Sequence, residues 1–236
     1  MDYQQLAEKL VSWIRERVTA AGGKGVVVGL SGGLDSSVAA VFSHYAFPKD
    51  TLAVIMPCHS HKEDLEHAKV LAGQFSIPTK TITLDGTYDS LLRVLPKASR
   101  LAQANLKARL RMLTLYYFAN KLKYLVVGAG NRDELSIGYF TKYGDGGVDI
   151  QPLGGLLKGQ VKELARFLGI PQPIIAKPPT AGLWDGQTDQ EELGLSYEQI
   201  DRYLASGEAS AAVKKRLEAM IASGRHKRQP PPVAEL

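Results

Sequence analysis

Apolar residues recur at helical spacing through Leu6, Leu10, Trp13, Ile14 and Val18, with charged residues between them. This predicts an amphipathic helix over 2–21 that stops at Gly22-Gly23. The pattern then changes. Val26-Val27-Val28-Gly29-Leu30 is continuously apolar and rich in β-branched residues, as a strand covered on both faces of a parallel sheet must be. It runs directly into Ser31-Gly32-Gly33-Leu34-Asp35-Ser36-Ser37 and an Ala/Val-rich helix reaching about residue 45. The alternation continues with a strand at 51–56, a helix at 61–75, a strand at 79–84, a long helix at about 99–122 and a strand at 124–128. Strands alternating with helices predict an α/β fold: a Rossmann-like, doubly wound parallel sheet flanked by helices, with right-handed crossovers. Ligands of such sheets bind beyond the C-terminal strand ends, where the strand order reverses, and the glycine-rich turn follows the first strand.

Beyond Gly130 the chain reads as loop until a helix at about 158–168, and 178–190 is a second irregular stretch. Helices at 196–205 and 209–222 precede a tail, 224–236, that contains Pro230-Pro231-Pro232. The 236 residues suit one domain spanning 1–236, with no internal repeat. A content of 44% hydrophobic and 22% charged residues predicts a folded core. The formal charge of +5 favours anionic ligands. With no basic block longer than His226-Lys227-Arg228, nucleotides are expected rather than nucleic acid. The lone Cys58 excludes an intrachain disulfide and a cysteine-based zinc site and fits a reducing, cytoplasmic setting. Residues 1–20 are broken up by charges, so no signal sequence is expected. No run approaches the ~18 apolar residues of a membrane span.

In physical terms Ser31 to Ser37 is a phosphate cradle. Two glycines let peptide N–H groups approach an anion, serines add hydroxyl donors, and the following helix points its positive end at the same place. Asp35 offers a hard oxygen to Mg²⁺. The G-x-x-x-x-G-K-[ST] pattern is absent, so a P-loop ATPase is not expected. The loop resembles the S-G-G-x-D-S signature of the N-type ATP pyrophosphatase superfamily, with its adenine nucleotide alpha hydrolase-like fold. Members of that group cleave ATP between the α- and β-phosphates.

The superfamily holds several chemistries, and other segments choose among them. The runs Asn105 to Met112 and Gly130 to Gly147 resemble NAD synthetases. So do Pro152-Leu153, Gly155-Leu156, Lys158, Lys177-Pro178-Pro179-Thr180-Ala181 and His226-Lys227-Arg228, in the family's order across 26–228. The resemblance implies an ammonia-dependent ligase. ATP activates the carboxylate of deamido-NAD as an acyl-adenylate, and ammonia displaces AMP. By motif position, Gly29, Leu30, Ser31, Gly32, Gly33, Leu34, Asp35, Ser36, Ala129, Lys158 and Thr180 would contact ATP. Asp35 and Glu134 would bind Mg²⁺. Arg109, Lys142, Asp149, His226 and Lys227 would hold deamido-NAD. Solvated surface charges are the simpler reading for Arg109 and Glu134, and a disordered end for the tail cluster.

Charge development in the first step calls for preplaced cations, so Lys158 is the catalytic candidate. A lysine opening a helix opposes the helix dipole, which an anionic partner would explain. Asp145, on a glycine-flanked loop, is a candidate base for ammonium, although an aspartate there equally suits a turn cap. The segment Thr180 to Gln190 is a candidate lid over the water-labile adenylate. Ala129 stands where many members have threonine, Leu34 where a polar residue is common, and Met56 to Ser60 departs from the Pro-Tyr pattern of several relatives. Thiolation enzymes of this group use paired cysteines, which this sequence lacks. The remaining alternatives are a different amidotransferase, such as a GMP synthetase, or a nucleotide sensor that does not turn ATP over. The length leaves no room for a glutaminase domain, so free ammonia or a separate glutaminase subunit would supply nitrogen. The family also implies a homodimer, and the apolar surface of 110–118 suits one.

Overall fold

The computed structural model describes every residue except Ala181, Leu183, Asp185, Glu235 and Leu236. The valine run becomes β1 (Val26–Gly29), inside a parallel sheet ordered β3-β2-β1-β4. Its companions are β2 (Thr51–Ile55), β3 (Thr79–Thr81) and β4 (Leu125–Val127). Val26 pairs with Thr51 on one side and with Leu125 on the other. The chain thus winds outward from β1 to β3 and then returns to β1's free side. The order reverses between β1 and β4, and the loops leaving these two strands border one crevice, as the sequence predicts.

Successive strand side chains point to opposite faces, so the valines serve two cores. Val26, Val28 and Val127 meet α1 (Tyr3–Ala20), α2 (Leu34–Ala46), α3 (Lys62–Gln74), α7 (Lys158–Phe167) and α8 (Gln172–Ala176), through Ile14, Phe42, Leu71, Leu164 and Ile174. Val27, Val54 and Val126 meet α4 (Asp85–Val94) and α5 (Arg100–Leu122), through Tyr88, Leu115 and Phe118. A third apolar cluster, Ile137, Leu193, Ile200 and Leu217, ties together α6 (Arg132–Ile137), α9 (Asp189–Leu193), α10 (Tyr197–Ser206) and α11 (Ala211–Ser223).

The long elements lie within two residues of their predicted bounds at most ends. β3 is the exception, ending at Thr81 rather than 84. The peptide N–H groups of Ile82 and Leu84 still reach Ile55 and Pro57, but Leu84 already opens α4, which the reading missed. Helix α6 occupies a stretch expected to be loop, α9 starts at the end of the expected irregular stretch 178–190, and α8 fills a segment given no element. The tail cluster forms α12 (Arg225–Arg228) and docks, which overturns the disordered-end reading. Lys227 Nζ donates to the carbonyls of Gly138 and Phe140, both at 2.8 Å, and Arg228 Nη1 to that of Ser136 at 2.7 Å. Among the described residues no helix is long and apolar enough to cross a membrane.

Candidate active site

The crevice at the β1/β4 reversal opens as a cleft of about 600 Å³, within the range of ligand pockets. Residues 29–36 line it except Gly32, which is buried behind the loop in a left-handed conformation, φ +84°. Any Cβ there would run into the carbonyl of Asp64, so this turn admits only glycine. Serine hydroxyls fix the rest of the loop. Ser36 Oγ and Ser37 Oγ both donate to the carbonyl of Gly33, at 3.0 and 2.8 Å. The Ser31 peptide N–H donates to Ser36 Oγ at 3.2 Å, and the two hydroxyls lie 2.8 Å apart. Gly33, with no side chain to cap it, then starts α2, whose positive end faces the cleft.

On the far wall Ala129 and Gly130 leave β4 and Asn131 opens α6. Asn131 Oδ1 accepts the N–H of Glu134 at 3.0 Å, and Glu134 Oε2 accepts that of Asn131 at 3.2 Å. This reciprocal cap leaves Glu134 Oε1 pointing inward, so Glu134 is not the solvated surface glutamate of the simpler reading. Asn131 Nδ2 also donates to Asp35 Oδ1 at 3.1 Å, joining the two walls. Lys158, only 7% exposed, enters between them. Its ammonium pairs with Asp35 Oδ2, lies 3.9 Å from Glu134 Oε1 and sits 4.9 Å from the centre of the Tyr197 ring. Burial works to lower the lysine's pKa, but Asp35 and Glu134 outweigh it and the group stays charged. Burial and then the neighbouring Asp35 raise the Glu134 carboxyl, while Lys158 pulls it back. The anionic partner expected for a lysine at a helix start is therefore present.

Four residues lining the cleft were given no role by the sequence. Asp189, 4% exposed, accepts from Tyr197 Oη at 2.8 Å and Tyr139 Oη at 3.1 Å. Arg111 lines the cleft with Nε donating to the carbonyl of Met56 at 3.2 Å, and its burial lowers the guanidinium's pKa. The capping pattern Asn-x-x-Glu at 131–134 would have revealed α6, but an isolated aspartate or tyrosine carries no spacing signal.

Thr180 and Ala129 both line the cleft, and Thr180 Oγ1 accepts the N–H of Gly182 at 3.1 Å. The candidate lid is tied at its neck, where the Asp189 N–H donates to the carbonyl of Pro179 at 3.0 Å. Trp184 from the same segment lies under the guanidinium of Arg100, 4.7 Å from the ring centre; Ala181, Leu183 and Asp185 lie outside the described residues. Asp145 faces the cleft, and its Oδ1 accepts the N–H of Thr141 at 2.9 Å, the turn-capping arrangement. Open to the cleft yet ringed by protein, its carboxyl is raised by burial, against the pull of Thr141 and Lys227.

Of the five residues assigned to deamido-NAD, only Lys227 lines the cleft. Arg109 Nη2 donates to the carbonyl of Lys142 at 3.3 Å, and Lys142 Nζ to that of His226 at 2.8 Å, so these three form a group on the outer rim. Asp149 is turned elsewhere, accepting from Tyr116 Oη at 3.0 Å and the Val126 N–H at 2.8 Å. Cys58 is fully buried and burial raises its thiol, consistent with a packing role.

Among the described residues no group of three or more His, Cys, Asp or Glu could hold a metal ion unaided. Asp35 and Glu134 nevertheless fit one arrangement. Two carboxylates converge beside the phosphate loop with a lysine ammonium already between them, and Mg²⁺ at nucleotide sites takes one or two carboxylates and completes its shell with phosphate and water.

This geometry can be set beside known proteins. An NH(3)-dependent NAD(+) synthetase of Carboxydothermus hydrogenoformans is 48% identical over 241 residues, covering 100% of this chain and 99% of its own. The structure of an NMN synthetase from Francisella tularensis superposes with a TM-score of 0.96 at 35% identity over the whole of both chains. An NH3-dependent NAD synthetase from Campylobacter jejuni gives 0.84 at 29%, again over both chains. A family model described as NAD synthase matches residues 6–231. Its cleft, its loop and these likenesses place the chain in the NAD synthase family.

Proposed function

We propose that this chain catalyses the last step of NAD biosynthesis, the ATP-dependent amidation of deamido-NAD by ammonia. The carrying observation is the convergence of Asp35, Glu134 and Lys158 beside the serine-glycine loop in a chain of this family. In the first half-reaction a nicotinate carboxylate oxygen attacks the α-phosphorus of ATP. The bond to the β-phosphate oxygen breaks, and pyrophosphate leaves with the electron pair. In the second, the ammonia nitrogen attacks the acyl carbon of the adenylate, the bond to AMP breaks, and one proton is released.

The loop at 31–37 and the start of α2 hold the departing pyrophosphate. Lys158 stabilises the charge that grows on it, as preorganised cations do in phosphoryl chemistry. Thr180 adds a hydroxyl at the ATP phosphates. Mg²⁺, held by Asp35 and Glu134, would neutralise phosphate charge when bound. The segment 180–190 folds over the adenylate to exclude water. Asp145 takes the proton from ammonium. Lys227 meets the substrate inside the cleft, while Arg109, Lys142 and His226 meet its distal part on the rim, beside the second subunit of a homodimer. The enzyme works in the cytoplasm with free ammonia.

One observation favours a second substrate. The Francisella tularensis NMN synthetase superposes more closely, at 0.96, than the Campylobacter jejuni NAD synthetase, at 0.84. The same chemistry on nicotinate mononucleotide needs no change in the ATP half of the cleft. Supplying deamido-NAD and nicotinate mononucleotide in parallel, with ATP, Mg²⁺ and ammonium, distinguishes the two through kcat/KM for amide formation. A higher value with deamido-NAD is expected. Preference for the mononucleotide would move the chain to the second reading, and amidation of neither would end both.

A further inference from the structure

The first turn of α7 lacks an ordinary cap. Its N-cap residue is Leu157, which has no side-chain acceptor, although the opening N–H groups of any helix need one. Gln160 reaches back to the Leu157 N–H at 2.9 Å. The next two donors are served from other helices. Asp133 of α6 accepts the Lys158 N–H through Oδ2 at 2.8 Å, and Asp201 of α10 accepts the Gly159 N–H through Oδ2 at 2.9 Å. Asp133 is completely buried.

We propose that Asp133 and Asp201 are positioning residues for the reaction: they grip two successive peptide groups around the Lys158 Cα and so fix the point from which its side chain reaches Asp35. This rests on the proposed role of Lys158. Three features argue that the grip serves the lysine and not only the helix. Asp133 directly precedes Glu134, so one segment of α6 holds both the lysine's backbone and one of the carboxylates beside its ammonium. Tyr197 and Asp201 lie four residues apart on α10 and share a face, so that helix places a ring against the ammonium and a carboxylate against the next peptide. Glycine at 159 is what lets Asp201 come this close, because a Cβ there would lie 2.7 Å from Asp201 Oδ2. The two side-chain acceptors also stand in for the cap that Leu157 cannot supply.

The test measures kcat and KM of ATP–pyrophosphate exchange in the presence of deamido-NAD and absence of ammonium, together with thermal unfolding, for the full chain. Asp201→Ala should lower kcat about tenfold or more, while Tm falls by only about 2–4 °C, the effect of one lost helix-start acceptor. Asp201→Asn, which keeps an acceptor for the Gly159 N–H, should recover to within about threefold of the parent. Gly159→Ala should also lower kcat, yet without loss of Tm, since alanine favours a helix over glycine. Combining Gly159→Ala with Asp201→Ala should cost nothing beyond Asp201→Ala alone, because the contact is already gone. Unchanged kcat in Asp201→Ala, multiplicative losses in the double variant, or a fall in Tm well beyond that of one lost cap would each overturn the positioning role. Full exchange activity in Lys158→Met would instead remove the functional reading on which it stands.

Discussion

The side chain around which the charges of the site gather is Lys158. It is nearly buried and paired with Asp35, with Glu134 close by, an arrangement that costs desolvation and is tolerable because both carboxylates face it. Replacing it with methionine removes the cation but keeps the length. Removing one preorganised group of this kind costs about 10²–10³ in rate. Lys158→Met should therefore lower pyrophosphate exchange by at least about 10²-fold, and a loss under threefold would show that the lysine only fills space between acids. Asp145 gives a pH-dependent expectation at the same scale. Its carboxyl is raised above the ordinary value, so the basic form is lost progressively as pH falls through that raised pKa, and a base role predicts that amidation falls with it. Asp145→Asn should abolish that acid limb at limiting ammonium. An unchanged profile would leave only the turn cap at Thr141.

Among elements, α6 is the hinge between the two strand-end loops, because its cap brings Glu134 inward while Asn131 also holds Asp35. Asn131→Ala removes both. Loss of an N-cap costs about 1 kcal/mol, and the freed Asp35 should add a drop in kcat of roughly tenfold. Denaturant unfolding and exchange assays on the same sample check the two, and a stability loss with full activity would separate the cap from the site. This helix also shows what the sequence could and could not convey. The long elements were legible because a buried parallel strand leaves a continuous β-branched apolar run and an amphipathic helix a repeat near 3.6 residues. Helices α6, α8 and α9 span six residues or fewer, too short for a period to register. The ten-residue α4 carried one, Tyr88, Leu91 and Leu92 behind Leu84, that went unread. Within the site, residues carried by an ordered motif lie together: Ser31, Asp35, Glu134 and Lys158 share one cleft. Asp133, Asp189, Tyr197 and Asp201 carried no such signal, because helices meeting across the fold bring them there. Asp149 and the rim group Arg109, Lys142 and His226 had motif positions but do not enter the cleft of the single chain.

At the scale of the molecule, the reversal of strand order between β1 and β4 determines where chemistry can occur, and the helices beyond Gly130 furnish the groups that face the phosphate loop. α5, which lines the cleft with one face, presents Leu113 and Tyr117 on another at 63% and 61% exposure, an apolar surface suited to the second subunit of the proposed dimer. A Leu113→Glu, Tyr117→Glu variant should halve the mass measured by light scattering and weaken deamido-NAD binding. An unaltered mass would place any subunit contact elsewhere. The central claim concerns which bond of ATP is broken. Its most direct measurement is the nucleotide balance of a single reaction containing ATP, Mg²⁺, deamido-NAD and ammonium. The account predicts AMP, pyrophosphate and the amide in equal amounts. ADP with orthophosphate would contradict it.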